Sequence, residues 1–282
     1  MAVVLALFAA VAYGLSDFVG GLLSRRTSAW AVAVVGQTSS TVVTAALALF
    51  VPGTPQPADF AWALLAGVAT GMGTGFLYRG FSSGRMSVVA PVSAVGAALV
   101  PVLVGAATGE RPTLLVWVGV AAALPGIWLV SSTPEDPMRA GEPRESVAAG
   151  LVDGILAGLG FGVLFAALGQ VPDGAGWWPL TFSQAVSVVA VALLAVALRA
   201  DWRPRGRTVR LAAVCGPLGA TATGTFLLAT QHGYLTVAGV LASLYPASTV
   251  LLAAFVLKEH VHRAQGVGLV LCGLAVTCVA AG

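Results

Sequence analysis

Ten runs of about twenty predominantly apolar residues follow one another along this chain, separated by short polar breaks. They fall at roughly 2–23, 30–51, 58–79, 86–108, 113–132, 147–170, 177–198, 209–231, 235–257 and 263–281. About twenty helical residues cross the ~30 Å hydrocarbon core of a bilayer. Lipid supplies no partners for unpaired backbone groups, so only helices or a closed barrel can span it. Barrel strands alternate polar and apolar side chains, whereas these runs are continuous. The chain therefore reads as an all-α polytopic membrane protein with ten transmembrane helices. Composition agrees. Of 282 residues, 58% are hydrophobic and 9% charged, against roughly 25% charged in soluble domains. The first run has no basic residues ahead of it and is read as a retained helix rather than a cleaved leader.

Charge sorts by loop. The odd-numbered loops hold 13 of the 14 basic residues, and Arg111 alone lies in an even one. Basic residues resist translocation, so this asymmetry places the odd loops in the cytoplasm and both termini outside. A net charge of +3, scattered in this way, is too small for a nucleic-acid surface. Cys215, Cys272 and Cys278 sit inside apolar runs, where cysteine behaves as a small hydrophobe. His260 and His262 are two apart, and no metal-ligand spacing, Walker A lysine or nucleophile–base set occurs. No cofactor, metal or enzymatic reaction is expected.

A charged, proline-bearing linker at 133–146 divides the chain into a first unit, 1–132, and a second, 147–282, each with five runs. The units resemble one another. A shift of 149 residues pairs Gly67 with Gly216, Thr74 with Thr223, Gly75 with Gly224, Glu110 with Glu259 and Gly119 with Gly268. A shift of 148 pairs Gly14 with Gly162 and Trp30 with Trp178. An odd number of spans per unit makes the second copy enter from the opposite face. The fold expected is two inverted five-helix repeats, a plan that recurs in secondary transporters.

Polar residues inside such spans are costly and point to function. Asp17 follows Tyr13 in the first span. It reads either as a ligand for a substrate cation or a proton acceptor in a cavity, or as a carboxylate near the surface paired with Arg25 or Arg26. Gln37 in the second span and Gln184 in the seventh are candidates for hydrogen bonding a substrate, or for bonding helix to helix. Tyr78 ends a stripe with Thr70 and Thr74. The fourth span carries Pro91, Ser93 and Pro101, and the ninth carries Tyr245 and Pro246, so both are expected to bend, either beside a cavity or as static kinks. Tyr13, Asp17, Gln37, Tyr78, Ser93, Gln184 and Tyr245 make up the substrate-binding set expected. Gly67, Gly71 and Gly75 read as close helix packing. Asp153 reads as interfacial.

The two five-helix units, the Tyr13-Gly14-Leu15-Ser16-Asp17-Phe18 opening, Gly109-Glu110 and Lys258-Glu259 together resemble the drug/metabolite transporter superfamily, in its EamA-like branch. Tyr13 and Lys258 depart from the tryptophan and glycine common at those places. The resemblance implies a multi-pass secondary transporter, exporter or permease, in the bacterial cytoplasmic membrane. It implies alternating access for a small-molecule substrate through a central polar cavity, in contact with lipid and coupled to protons or ions. It also implies both termini inside, opposite to the charge count. A non-transporting assembly or lipid-handling membrane protein is the alternative.

Overall fold

The structure, a computed structural model, describes residues 1–83, 86–131, 144–256 and 262–282. Most of the linker, with Arg85, Arg139, Lys258, Glu259 and His260, lies outside the described residues. Ten spans follow the expected order. They are α1 (Ala2–Ser24), α2 (Ala29–Ala48), α3 (Pro57–Ser82), α4 (Met86–Ala107), α5 (Leu114–Ser131), α6 (Arg144–Leu168) and α7 (Trp178–Ala197). Then come α8 (Gly206–Gln231), a broken ninth span of α9a (Leu235–Ala242) and α9b (Tyr245–Val256), and α10 (Arg263–Ala281).

Local chemistry starts and stops these helices. The Ser28 hydroxyl accepts from the Ala31 N–H at the head of α2. Asp59 accepts from the Gln56 N–H at 2.7 Å, and Pro57 opens α3, where its missing N–H costs nothing. The ninth span breaks at Ser243 and Leu244, because Pro246 has no N–H to offer the preceding turn. Two prolines in α4 leave it uninterrupted, so of the two bends expected only the ninth span is interrupted.

The outer surface differs from that of a soluble protein. The interior is rich in Ala, Gly, Ser and Thr, while Val4, Phe8, Leu47, Leu64, Leu103, Leu193 and Val270 face outward. Lipid covers such a surface without cost, and small residues let helices approach closely inside it.

The packing obeys a two-fold exchange of α1–α5 with α6–α10. α4 lies along α6 as both pieces of α9 lie along α1, and α3 along α6 as α8 along α1. α3 packs on α7 as α8 does on α2, while α2 with α7, α4 with α9a and α5 with α10 pair across the axis. Glycine contacts repeat it. Gly119 sits against Ala275 and Val279, and Gly268, 149 residues on, against Gly126 and Val130. Gly67 sits against Val186, and Gly216 against Ser39. Loop contacts show the inversion. Beyond the C-terminal end of α2, the Thr54 N–H donates to the Gly174 carbonyl ahead of α7 at 2.8 Å. At the opposite end, the Ser28 hydroxyl ahead of α2 donates to the Asp201 carbonyl beyond α7. α2 and α7 therefore run antiparallel, as inverted copies must.

The register corrects one pairing. Trp30 packs on Gly75, and its counterpart against Gly224 is Trp177, not Trp178. The second span is thus offset by 147 residues and the third by 149, and the difference is absorbed in the loop between them.

The Gly109-Glu110 pair has a structural task. Gly109 ends α4 with φ 90°, a conformation that costs other L-residues energy. The chain reverses there, and the Glu110 carboxylate accepts from the N–H groups of Leu235 and Thr236 at 2.5 and 2.9 Å. A carboxylate thus caps the positive end of α9a.

Candidate functional site

A polar cavity lies on the two-fold axis, walled by α1, α2, α3, α6, α7 and α8. Its volume is about 50 Å³, room for a few waters. Much of the wall consists of counterparts from the two halves. Tyr13 of α1 faces in, as does Phe161, 148 residues on. Ser16 corresponds to Leu164, Gln37 to Gln184, and Thr74 to Thr223.

The amides repeat one bond. Gln37 Nε2 donates to Thr74 Oγ1 at 3.0 Å, and Gln184 Nε2 to Thr223 Oγ1 at 3.1 Å. Thr223 spends its own proton on the Gly219 carbonyl at 2.8 Å, so it can only accept from Gln184. Gln184 Nε2 also donates to Ser40 at 2.8 Å. Gln184 therefore uses both of its N–H groups between helices, and Gln37 one of its two. Among the described residues no donor reaches either amide oxygen.

Asp17 breaks the symmetry, since its counterpart is Phe165, which stacks on Phe226 with centroids 4.4 Å apart. Asp17 lies seven residues before the end of α1, about 10 Å along the axis at 1.5 Å per residue. It is half-buried on the cavity wall, and no hydrogen bond or ion pair to it occurs among the described residues. Arg25 and Arg26 are exposed beyond the helix end. The lining carries this one carboxylate and no Lys, Arg or His. Tyr13 adds a hydroxyl that is buried and unpartnered. Tyr78 approaches Gly20, where the missing Cβ leaves room for its hydroxyl.

Of the seven residues expected to bind substrate, Tyr13, Asp17, Gln37, Tyr78 and Gln184 share this cavity. Ser93 and Tyr245 stand apart from its lining. Their hydroxyls lie 3.4 Å from each other in a buried contact between α4 and α9b. Phe161, Leu164, Thr223 and Cys215 also line the cavity and were not among the seven. The 148-residue shift applied to Tyr13 and Ser16 finds the first two, and the 149-residue shift applied to Thr74 finds the third. Asp153, read as interfacial, has a partner inside the protein. It is 1% exposed and ion-paired with Arg79, whose guanidinium also lies 4.5 Å from the Phe76 ring centre. The tilt of α3 across α6 brings its last turns over Asp153, a contact no spacing in sequence reveals.

A solved crystal structure superposes on 94% of this chain, and 94% of its own, with a TM-score of 0.65 and 17% sequence identity, which is a likeness of fold. No curated protein matches the chain in sequence. The sequence profile of the EamA-like transporter family matches residues 1–132 and again 148–281. Each match covers one five-helix half, as the two-fold packing around the cavity requires, and the chain belongs to the EamA-like transporter family.

Proposed function

We propose that the protein is a secondary transporter that moves a small metabolite across the bacterial cytoplasmic membrane by alternating access through the cavity around Asp17. The family is one of membrane transporters of small molecules. The observation that carries the reading is the cavity's place, where the two inverted halves meet and the polar groups of both converge. Repeats of opposite topology can exchange conformations, so that one arrangement opens to each face. The units exchanging would be 1–132 and 147–282, joined by the 133–146 linker. A drug-sized ligand needs roughly 300–1,000 Å³, far more than the ~50 Å³ present. Substrate entry then requires the halves to part. Asp17 would carry the proton or ion coupling, as the one carboxylate on the wall.

The test is flux. Proteoliposomes holding the purified protein and a mixture of amino acids, amines, nucleobases and organic acids would be assayed for solute movement against protein-free vesicles. Movement of a defined solute that saturates and is competed by its analogues is expected. No movement of any class, in protein shown to be folded, would favour an assembly or lipid-handling role.

A further inference from the structure

We infer that the cavity selects a protonated organic amine, with Asp17 as its counter-charge and the α6 wall as the seat of its carbon skeleton. The inference rests on the transport reading and adds the substrate class to it.

Three observations carry it. The first is an unanswered charge. A carboxylate in a narrow cavity without a cationic partner loses much of its hydration and gains no ion pair in return. An entering cation supplies what the protein leaves out. The second is the sign of the remaining groups. Gln184 has committed both of its N–H groups, to Ser40 and Thr223, and Gln37 one of its two, to Thr74, which leaves both amide oxygens as acceptors against a single remaining amide N–H. The Tyr13 hydroxyl oxygen is a third. An ammonium group brings three N–H donors and no acceptor, which matches this set. A substrate carboxylate would meet Asp17 and those oxygens with no lysine, arginine or histidine to answer it. Amino acids and organic acids are disfavoured accordingly.

The third is polarity along the cavity. On the α1 side the wall offers Ser16 and Asp17, whereas on α6 the place of Ser16 holds Leu164, and that of Asp17 holds Phe165, which stacks on Phe226 outside the lining. Phe161 lines the cavity from α6 as Tyr13 does from α1. A molecule with one charged end and one apolar end can place both at once, and aromatic faces favour a nearby cation. An inorganic ion would leave the apolar wall without a purpose.

The experiment is equilibrium binding to the purified full chain in detergent, with three pairs of ligands. Each pair sets an amine against the amino acid carrying the same side chain: methylamine and glycine, pentylamine and norleucine, 2-phenylethylamine and phenylalanine. At least one amine should bind tenfold or more tightly than its carboxylated partner, with affinity rising along the apolar series. Asp17→Asn should weaken that binding at least tenfold while the protein stays monodisperse, and Asp17→Glu should restore part of it. Phe161→Ala should reduce the preference for phenylethylamine over methylamine. If no amine outbinds its amino acid, if sodium ions alone are bound, or if Asp17→Asn binds amines as before, the inference fails. Should the mixed-solute vesicles still move another solute, only the substrate class falls. Should nothing move, the transport reading falls with it.

Discussion

The Glu110 cap offers the clearest test of how the second half is held to the first. Its carboxylate accepts two backbone N–H groups, Leu235 and Thr236, and both of those residues are buried. Glu110→Ala removes both acceptors and strands two donors where water has little access. A buried donor left unpaired costs about 1–3 kcal/mol. Loss of the charge at the helix start adds roughly 0.3–1 kcal/mol. The sum is about 2–7 kcal/mol, and the lower half is expected because Glu110 itself is only half-buried. Glu110→Gln keeps one acceptor oxygen and turns an amide toward the other donor, so it should cost about half as much. Thermal unfolding in detergent reads the difference. At about 2–4 °C per kcal/mol for chains near this size, Glu110→Ala should lower the midpoint by at least 4 °C and Glu110→Gln by less. A shift under 1 °C for the alanine variant would refute the cap, because an exposed glutamate loses that little.

Further outcomes follow from the packing and the charge pattern. Gly268→Ala places its methyl against the Gly126 carbonyl at 2.8 Å, and Gly119→Ala meets the Val279 methyl at 2.9 Å; both should destabilise by about 1–3 kcal/mol. Gly273 faces open space in the same helix, so Gly273→Ala should be neutral or gain up to about 1 kcal/mol in the same unfolding assay. A double-mutant cycle of Arg79→Met and Asp153→Asn should give a coupling of about 1–3 kcal/mol, above the ~0.2–1 kcal/mol of exposed pairs; additive effects would place the pair with surface contacts. Reporter fusions at the C-terminus should show it outside the cytoplasm, since thirteen basic residues in the odd loops would otherwise be translocated. An active cytoplasmic reporter there would overturn that orientation.

The spans were legible because lipid imposes one requirement on every one of them, an unbroken apolar run of fixed length. Their boundaries moved by a few residues at most, as at α2, read to 51 and ending at Ala48. The repeat was legible because close helix packing demands glycine at matched places, such as Gly67 with Gly216. The offset of the second span was not, since Trp177 and Trp178 are adjacent and only contact with Gly224 chooses between them. Five of the seven expected site residues share the cavity because a polar side chain in mid-span has few places to go besides the interior. Phe161 and Leu164 escaped notice because apolar residues carry no such cost, and only the symmetry singles them out. The partner of Asp153 was not legible either: sequence position puts it near a helix start, and only the packing of α3 on α6 brings Arg79 to it.

The departures from symmetry are as informative as the symmetry. Backbone packing and glycine contacts repeat between the halves, so the two halves present interfaces of similar shape. Side chains then distinguish them at two levels. At the centre, the α1 wall carries Asp17 while the α6 wall carries Phe161 and Leu164, which gives the cavity a charged side and an apolar side. Nearer one face, Arg79 and Asp153 join α3 to α6, and the corresponding places on α8 and α1 hold Leu228 and Leu5. One interface between the halves is therefore fastened by an ion pair and its counterpart is not. In the proposed alternating-access cycle these two interfaces would open in turn. Opening the α3–α6 side would then break a pair that opening the α8–α1 side leaves intact. A difference of about 1.4 kcal/mol is a tenfold bias between two states, which a single half-buried ion pair is able to supply. An exact repeat would leave the two orientations of the cavity equal in energy. In the proposed cycle the ion pair would make them unequal, and the charged side at Asp17 would give the cavity something to hold while they exchange.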